Sequence, residues 1–148
     1  MPEFEYQKVE AWITAVKLAA AVGRLKIGSN LKASADAQAH AFEQAGMASA
    51  LIAEASSREG PAQVGLYRDA RGALAQCRSW LHVLAAVTNE PDSVFGNELD
   101  LADQAARQVS GTLRSIERGP AGPRPPMRGA PAPSGPRPGG PPRGGAPR

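Results

Sequence analysis

The most reactive side chains in this chain are two histidines, His40 and His82, and one cysteine, Cys77. A di-iron or di-manganese centre in a helical protein needs inward carboxylates and two Glu-x-x-His pairs, so that four helices each supply ligands. No Glu-x-x-His occurs, and the two histidines fall on different segments. His40 and Glu43 share a helical face and read as a surface pair rather than as metal ligands. Cys77 sits in the middle of an apolar stretch, where a thiol is buried and inert rather than ionised and nucleophilic. Phosphate-loop, dinucleotide and nucleophile-elbow signatures are missing. The glycines of Gly28-Ser29-Asn30 and Gly60-Pro61 read as helix punctuation. The expectation is a protein that is not an enzyme and has no cofactor and no metal.

Fixed positive charge is the other chemistry on offer. Arg68, Arg71, Arg78 and His82 are offset by 3, 10 and 14 residues, which at roughly 100° per residue gathers them into one stripe of a helix. Arg107, Arg114 and Arg118 form a second stripe. Such stripes can hold phosphates, each contact weakening with salt. They are equally what the solvated face of a helix requires, and acids on other helices could neutralise them. The last 30 residues, 119–148, add a third source of charge. They contain eleven prolines, eight glycines, five arginines and no acid. Arg124, Arg128, Arg137 and Arg143 lie there among Gly and Pro, a setting that can track a nucleic-acid backbone or serve as a Pro-rich ligand for another domain.

Composition divides the elements that must position these groups into two parts. The tail has Met127 as its one large apolar residue and no aromatic or β-branched residue. It cannot offset the entropy of ordering by burial, and it reads as disordered with polyproline II character. Residues 1–118 hold 12 basic and 14 acidic residues, so the basic pI near 9.4 is a property of the tail. One domain is expected at this size. The single cysteine excludes an intrachain disulfide and suits a reducing cytoplasm. The acidic Met1-Pro2-Glu3-Phe4-Glu5 does not read as a secretory signal, and no apolar run reaches the ~20 residues that span a bilayer.

Four helical segments are expected in residues 1–118, with no strand signal. The first runs roughly from Glu5 to Lys26, with Val9, Trp12, Ile13, Val16, Ala20 and Gly23 on its apolar face. The second runs from Ser34, a candidate cap, to Ser57. It is alanine-rich on almost every side, so its outer face is expected to meet another subunit. The third follows Gly60-Pro61, where proline suits the first helical position, and ends near Thr88. Its apolar face is Leu66, Ala70, Ala73, Leu74, Cys77, Trp80, Leu81 and Leu84. The fourth runs from Asn97 to Arg118 with a seam of Leu99, Ala102, Ala106, Val109, Leu113 and Ile116. Short connections favour an all-α, antiparallel up-down-up-down four-helix bundle.

Ala50-Leu51-Ile52-Ala53-Glu54-Ala55-Ser56-Ser57-Arg58 and Tyr67-Arg68-Asp69-Ala70-Arg71-Gly72-Ala73-Leu74-Ala75-Gln76-Cys77 resemble the bacterial four-helix-bundle protein family. That family includes the 23S ribosomal RNA intervening-sequence proteins. Leu66-Tyr67, Leu74 and Arg78-Ser79-Trp80-Leu81 are similar to the accessory variability determinant of diversity-generating retroelements. The resemblance spans about Phe4 to Arg118. It implies a closed ring of subunits, typically a homopentamer, and for the retroelement branch a basic surface that holds RNA and a reverse transcriptase. Related proteins carry a basic pair where this chain has Ala41-Phe42-Glu43-Gln44, and the tail arginines would restore that charge. A reading of another class is a protein–protein adaptor that oligomerises through the bundle and recruits partners by its Pro-rich tail.

Overall fold

The computed structural model describes residues 4–119. The segment from residue 120 onward, with its expected disorder and Arg124, Arg128, Arg137 and Arg143, lies outside the described residues. A 3-10 turn, Glu5–Lys8, precedes α1 (Glu10–Gly23), α2 (Lys32–Ser56) and α3 (Gly60–Val87). A second 3-10 turn, Asp92–Phe95, leads into α4 (Gly96–Glu117). There is no strand among the described residues, and no helix there is long and apolar enough to cross a membrane. Contacts join α1 to α2, α2 to α3, α3 to α4 and α4 back to α1, so α1/α2 and α3/α4 form two opposite sides.

The first helix is shorter than its sequence pattern suggests. Val9 is extended (φ −78°, ψ 118°) and separates the 3-10 turn from α1. In one continuous helix Tyr6 and Trp12 would point to different sides, about 120° apart. The break lets the Tyr6 ring fold edge-on against Trp12, with centroids 5.2 Å apart. The buried face also differs from the expected one. Ala11, Thr14, Ala15, Leu18 and Val22 face inward, while Ile13 and Val16 stay exposed. The chain carries apolar residues on two faces of this helix, and the face that combines Leu18 and Val22 with the small Ala11 and Ala15 is the one turned inward.

Side chains from neighbouring helices close the helix ends. The Gln38 amide of α2 donates to the carbonyls of Val22 (3.0 Å), in the last turn of α1, and Leu25 (2.9 Å), just past it. Gln63 donates to the Ala55 carbonyl at the end of α2. Ser34 does not cap α2. The helix starts two residues earlier, so Ser34 is inside it, buried, with its hydroxyl 3.1 Å from the Ser29 hydroxyl. Ser29 instead accepts the Leu31 N–H and shapes the turn. Asn89 (φ 56°) and Gly119 (φ 75°) end α3 and α4 in left-handed geometry, and the Glu90 N–H reaches the Ala85 carbonyl at 2.8 Å as in a Schellman stop.

Alanine dominates the core. α2 turns Ala37, Ala41, Ala45, Ala48, Ile52 and Ala55 inward, and α3 supplies Tyr67, Leu74, Cys77, Leu81 and Leu84. Small residues on one helix let the larger residues of its neighbour reach across, at native packing density. Phe95 closes a second cluster with Ala37, Leu84 and Ala85.

Gly72 stands mid-way along α3, exposed, and a Cβ there would meet nothing within 4 Å. Gly72→Ala is expected to raise stability by about 0.5–1 kcal/mol, the helix-propensity difference. Thermal unfolding of the two proteins checks this; an unchanged or lower midpoint would show that the position is not free.

Candidate nucleic-acid interface

The two arginine stripes expected from sequence meet on one side of the molecule. α3 and α4 pack together, and each arginine of the α3 stripe reaches a partner on α4. Arg68 lies 3.5 Å from Glu117, Arg71 donates to the Ser110 hydroxyl at 3.4 Å, and Arg78 lies 3.7 Å from Asp103. Asp103 also takes Arg107, one turn along α4, at 3.1 Å. One carboxylate therefore ties an arginine from each helix. His82 stands apart from this ladder. Its imidazole is 3.1 Å from Asp92 in the second 3-10 turn, so it pins that turn to α3.

The sequence left open whether acids on other helices neutralise the stripes, and these contacts show that acids of α4 pair with part of them. Arg68, Arg71, Arg78 and Arg107 are held by acids or a hydroxyl, while Arg114 has no ion pair among the described residues. The pairs are all about half exposed, and exposed pairs contribute roughly 0–1 kcal/mol each. They hold the guanidinium groups in place without holding them strongly. A phosphate can displace a carboxylate here at small cost, since both offer oxygen acceptors to the same planar fork. α3 and α4 carry five arginines, Arg68, Arg71, Arg78, Arg107 and Arg114, against five acids, Asp69, Glu98, Asp100, Asp103 and Glu117, with Arg118 just past the end of α4, so this face is studded with arginines without a formal positive excess on the two helices.

Compared with protein-family models, curated proteins and solved structures, the chain matches none.

The remaining reactive groups are placed away from this face or buried. His40 pairs with Glu43 at 4.0 Å on the surface, and its ring stacks on Trp80 with centroids 4.3 Å apart. Cys77 is fully buried, and burial pushes its thiol up to about 12, so it stays protonated at neutral pH. Among the described residues no group of three or more His, Cys, Asp or Glu could hold a metal. Spacing within each helix revealed both stripes. The ladder partners Ser110, Asp103 and Glu117 were not legible as partners, because pairing across helices depends on register that no single helix encodes.

Proposed function

We propose that the protein is a non-catalytic oligomeric scaffold for a nucleoprotein, built on an antiparallel up-down-up-down four-helix bundle. The reading follows the resemblance to the bacterial four-helix-bundle family and its retroelement branch. Residue order across α3 and α4 supports the antiparallel course: as α3 advances from Arg68 to Arg71 and Arg78, its partners on α4 recede from Glu117 to Ser110 and Asp103. The observation that carries the functional reading is the split between two opposite sides. The α3/α4 side presents the arginine ladder. The α1/α2 side leaves Ile13, Val16 and Phe42 exposed, Phe42 at 49 %. An assembly joined through the α1/α2 side, a homopentamer by resemblance, would turn its arginines outward toward RNA or a reverse transcriptase. The arginines of the tail would add charge to the same task, and the buried, unpaired Cys77 suits a reducing cytoplasm.

RNA binding across a salt series tests the reading, with a structured RNA followed by fluorescence anisotropy. In the full-length chain, Arg71, Arg78 and Arg107 together changed to Gln are expected to weaken binding about tenfold or more. The salt slope should fall by about 2–3, since each lost contact removes roughly 0.7–0.9. Asp103→Asn is expected to strengthen binding by freeing two arginines. Binding lost only when Arg124, Arg128, Arg137 and Arg143 are changed would move the nucleic-acid contact to the tail. No binding by the unmodified chain would favour the adaptor that recruits partners through its Pro-rich tail.

A further inference from the structure

A row of aromatic rings lies at the start of the chain, unrelated to the arginine ladder. Phe4 stacks on Tyr6 with centroids 5.5 Å apart and planes within 5°, and Tyr6 meets Trp12 edge-on. Phe4 is 58 % exposed, which leaves an aromatic face open for a partner to bury. Phe4 and Tyr6 line a groove of about 490 Å³ with Glu5, Ala53, Glu54, Ser56 and Ser57. Glu5 has no side-chain partner among the described residues, and Glu54 holds only the exposed Arg58, at 3.4 Å. Exposed rings beside small residues and carboxylates form the kind of surface that takes an extended proline-rich, arginine-bearing segment. Prolines pack on the rings and guanidinium groups reach the acids.

The chain carries such a segment where it can reach this groove. Val9, Glu10 and Ala11 share a surface cleft with Gln108, Gly111, Thr112 and Ser115, so the start of α1 lies beside the end of α4. α4 ends at Glu117, and the left-handed Gly119 follows its cap about one helical turn after Ser115. Pro123-Arg124-Pro125-Pro126-Met127-Arg128 begins four residues after Gly119, a tether of up to roughly 12 Å at the polyproline II rise, and its far end lies nine residues on, up to roughly 28 Å away. Charge also matches, since residues 119–148 hold five arginines and no acid. A short tether supplies an effective concentration on the order of millimolar, enough to fill a weak site.

We propose that Pro123–Arg128 docks in cis onto the Phe4/Tyr6 groove, with its arginines toward Glu5 and Glu54. This goes beyond the scaffold reading and does not depend on RNA. It makes the groove a regulator of the tail, since a docked tail withholds its prolines and arginines from other partners.

The test is paramagnetic broadening in the full-length chain. A nitroxide is attached at Ala130→Cys under native conditions, where buried Cys77 does not react. Broadening confined to the amides of residues 4–8 and 53–57, and lost in the full-length Phe4→Ala variant, is the expected result. Phe4 contributes nothing to the buried core, so that variant keeps the fold. No broadening, or broadening spread over the whole surface, overturns the proposal. Mixing isotope-labelled protein without the nitroxide with unlabelled protein carrying it separates the copies: broadening in that mixture assigns the groove to another copy's tail and overturns docking in cis.

Discussion

Ile52→Ala is expected to destabilise the protein by about 3–4 kcal/mol, in the upper half of the range for such truncations. Ile52 is fully buried, and every other inward residue of α2 is alanine or serine. A cavity at Ile52 therefore has no long side chain on its own helix to collapse into it. Tyr67, Ala70 and Leu74 belong to the same core cluster, but all three lie on α3, which is held in place by its close packing against the alanines of α2. For a domain with a typical total of about 5–15 kcal/mol, the loss is a large fraction. Urea unfolding measures it as a lower midpoint with an unchanged slope. Ile52→Val, which removes one methyl, should cost only about 1 kcal/mol. A loss below 1 kcal/mol for the alanine variant would mean that the helices close over the gap, contrary to the packing described.

Stability is expected to fall steeply on the alkaline side, and Cys77 is the main reason. Its thiol is raised from an ordinary value near 9 to about 12, through desolvation by burial. Because the folded value is the higher one, the unfolded chain releases this proton first. The contribution is complete below pH 9 and is lost as pH climbs from about 9 toward about 12. At roughly 1.4 kcal/mol per unit, the loss across that window is on the order of 4 kcal/mol. Tyr67, whose hydroxyl burial also raises above its ordinary 10, adds a loss of the same sign at higher pH. Urea unfolding from about pH 8 to about pH 11 should show wild-type stability dropping, and Cys77→Ala holding level until Tyr67 titrates. Parallel curves for the two proteins would remove Cys77 from the account.

The segments with one dominant apolar face were legible before the structure. On α3 the expected residues Ala70, Ala73, Leu74, Cys77, Leu81 and Leu84 are buried while Leu66 and Trp80 are half-buried, and on α4 Ala102, Val109 and Leu113 are buried while Leu99, Ala106 and Ile116 are half-buried. On α1 two apolar faces compete, Ala11, Ala15, Leu18 and Val22 against Trp12, Ile13 and Val16, and the packing of α2 and α4, which the helix's own sequence does not encode, decides which turns inward. Ser34 was misread because a serine before an apolar run looks like a cap whether or not the preceding turn has already closed. Tyr67 and Glu98 are buried at positions the apolar pattern skipped. For the site, arginine spacing within one helix was readable, whereas the shared carboxylate of Asp103 was not, since it joins residues 25 positions apart.

The two tryptophans sit in unlike surroundings and on different helices. Trp12 closes the aromatic row beside the Phe4 groove, and Trp80 carries the stacked imidazole of His40. Indole emission responds to what lies against the ring, so the protein contains two native dyes with separate fields of view. Trp12 views Tyr6, whose ring lines the groove, and Trp80 the seam between α2 and α3. Light from one can change while the other stays constant, and a single spectrum of the unlabelled protein can then tell an event at the groove from a loosening of the core.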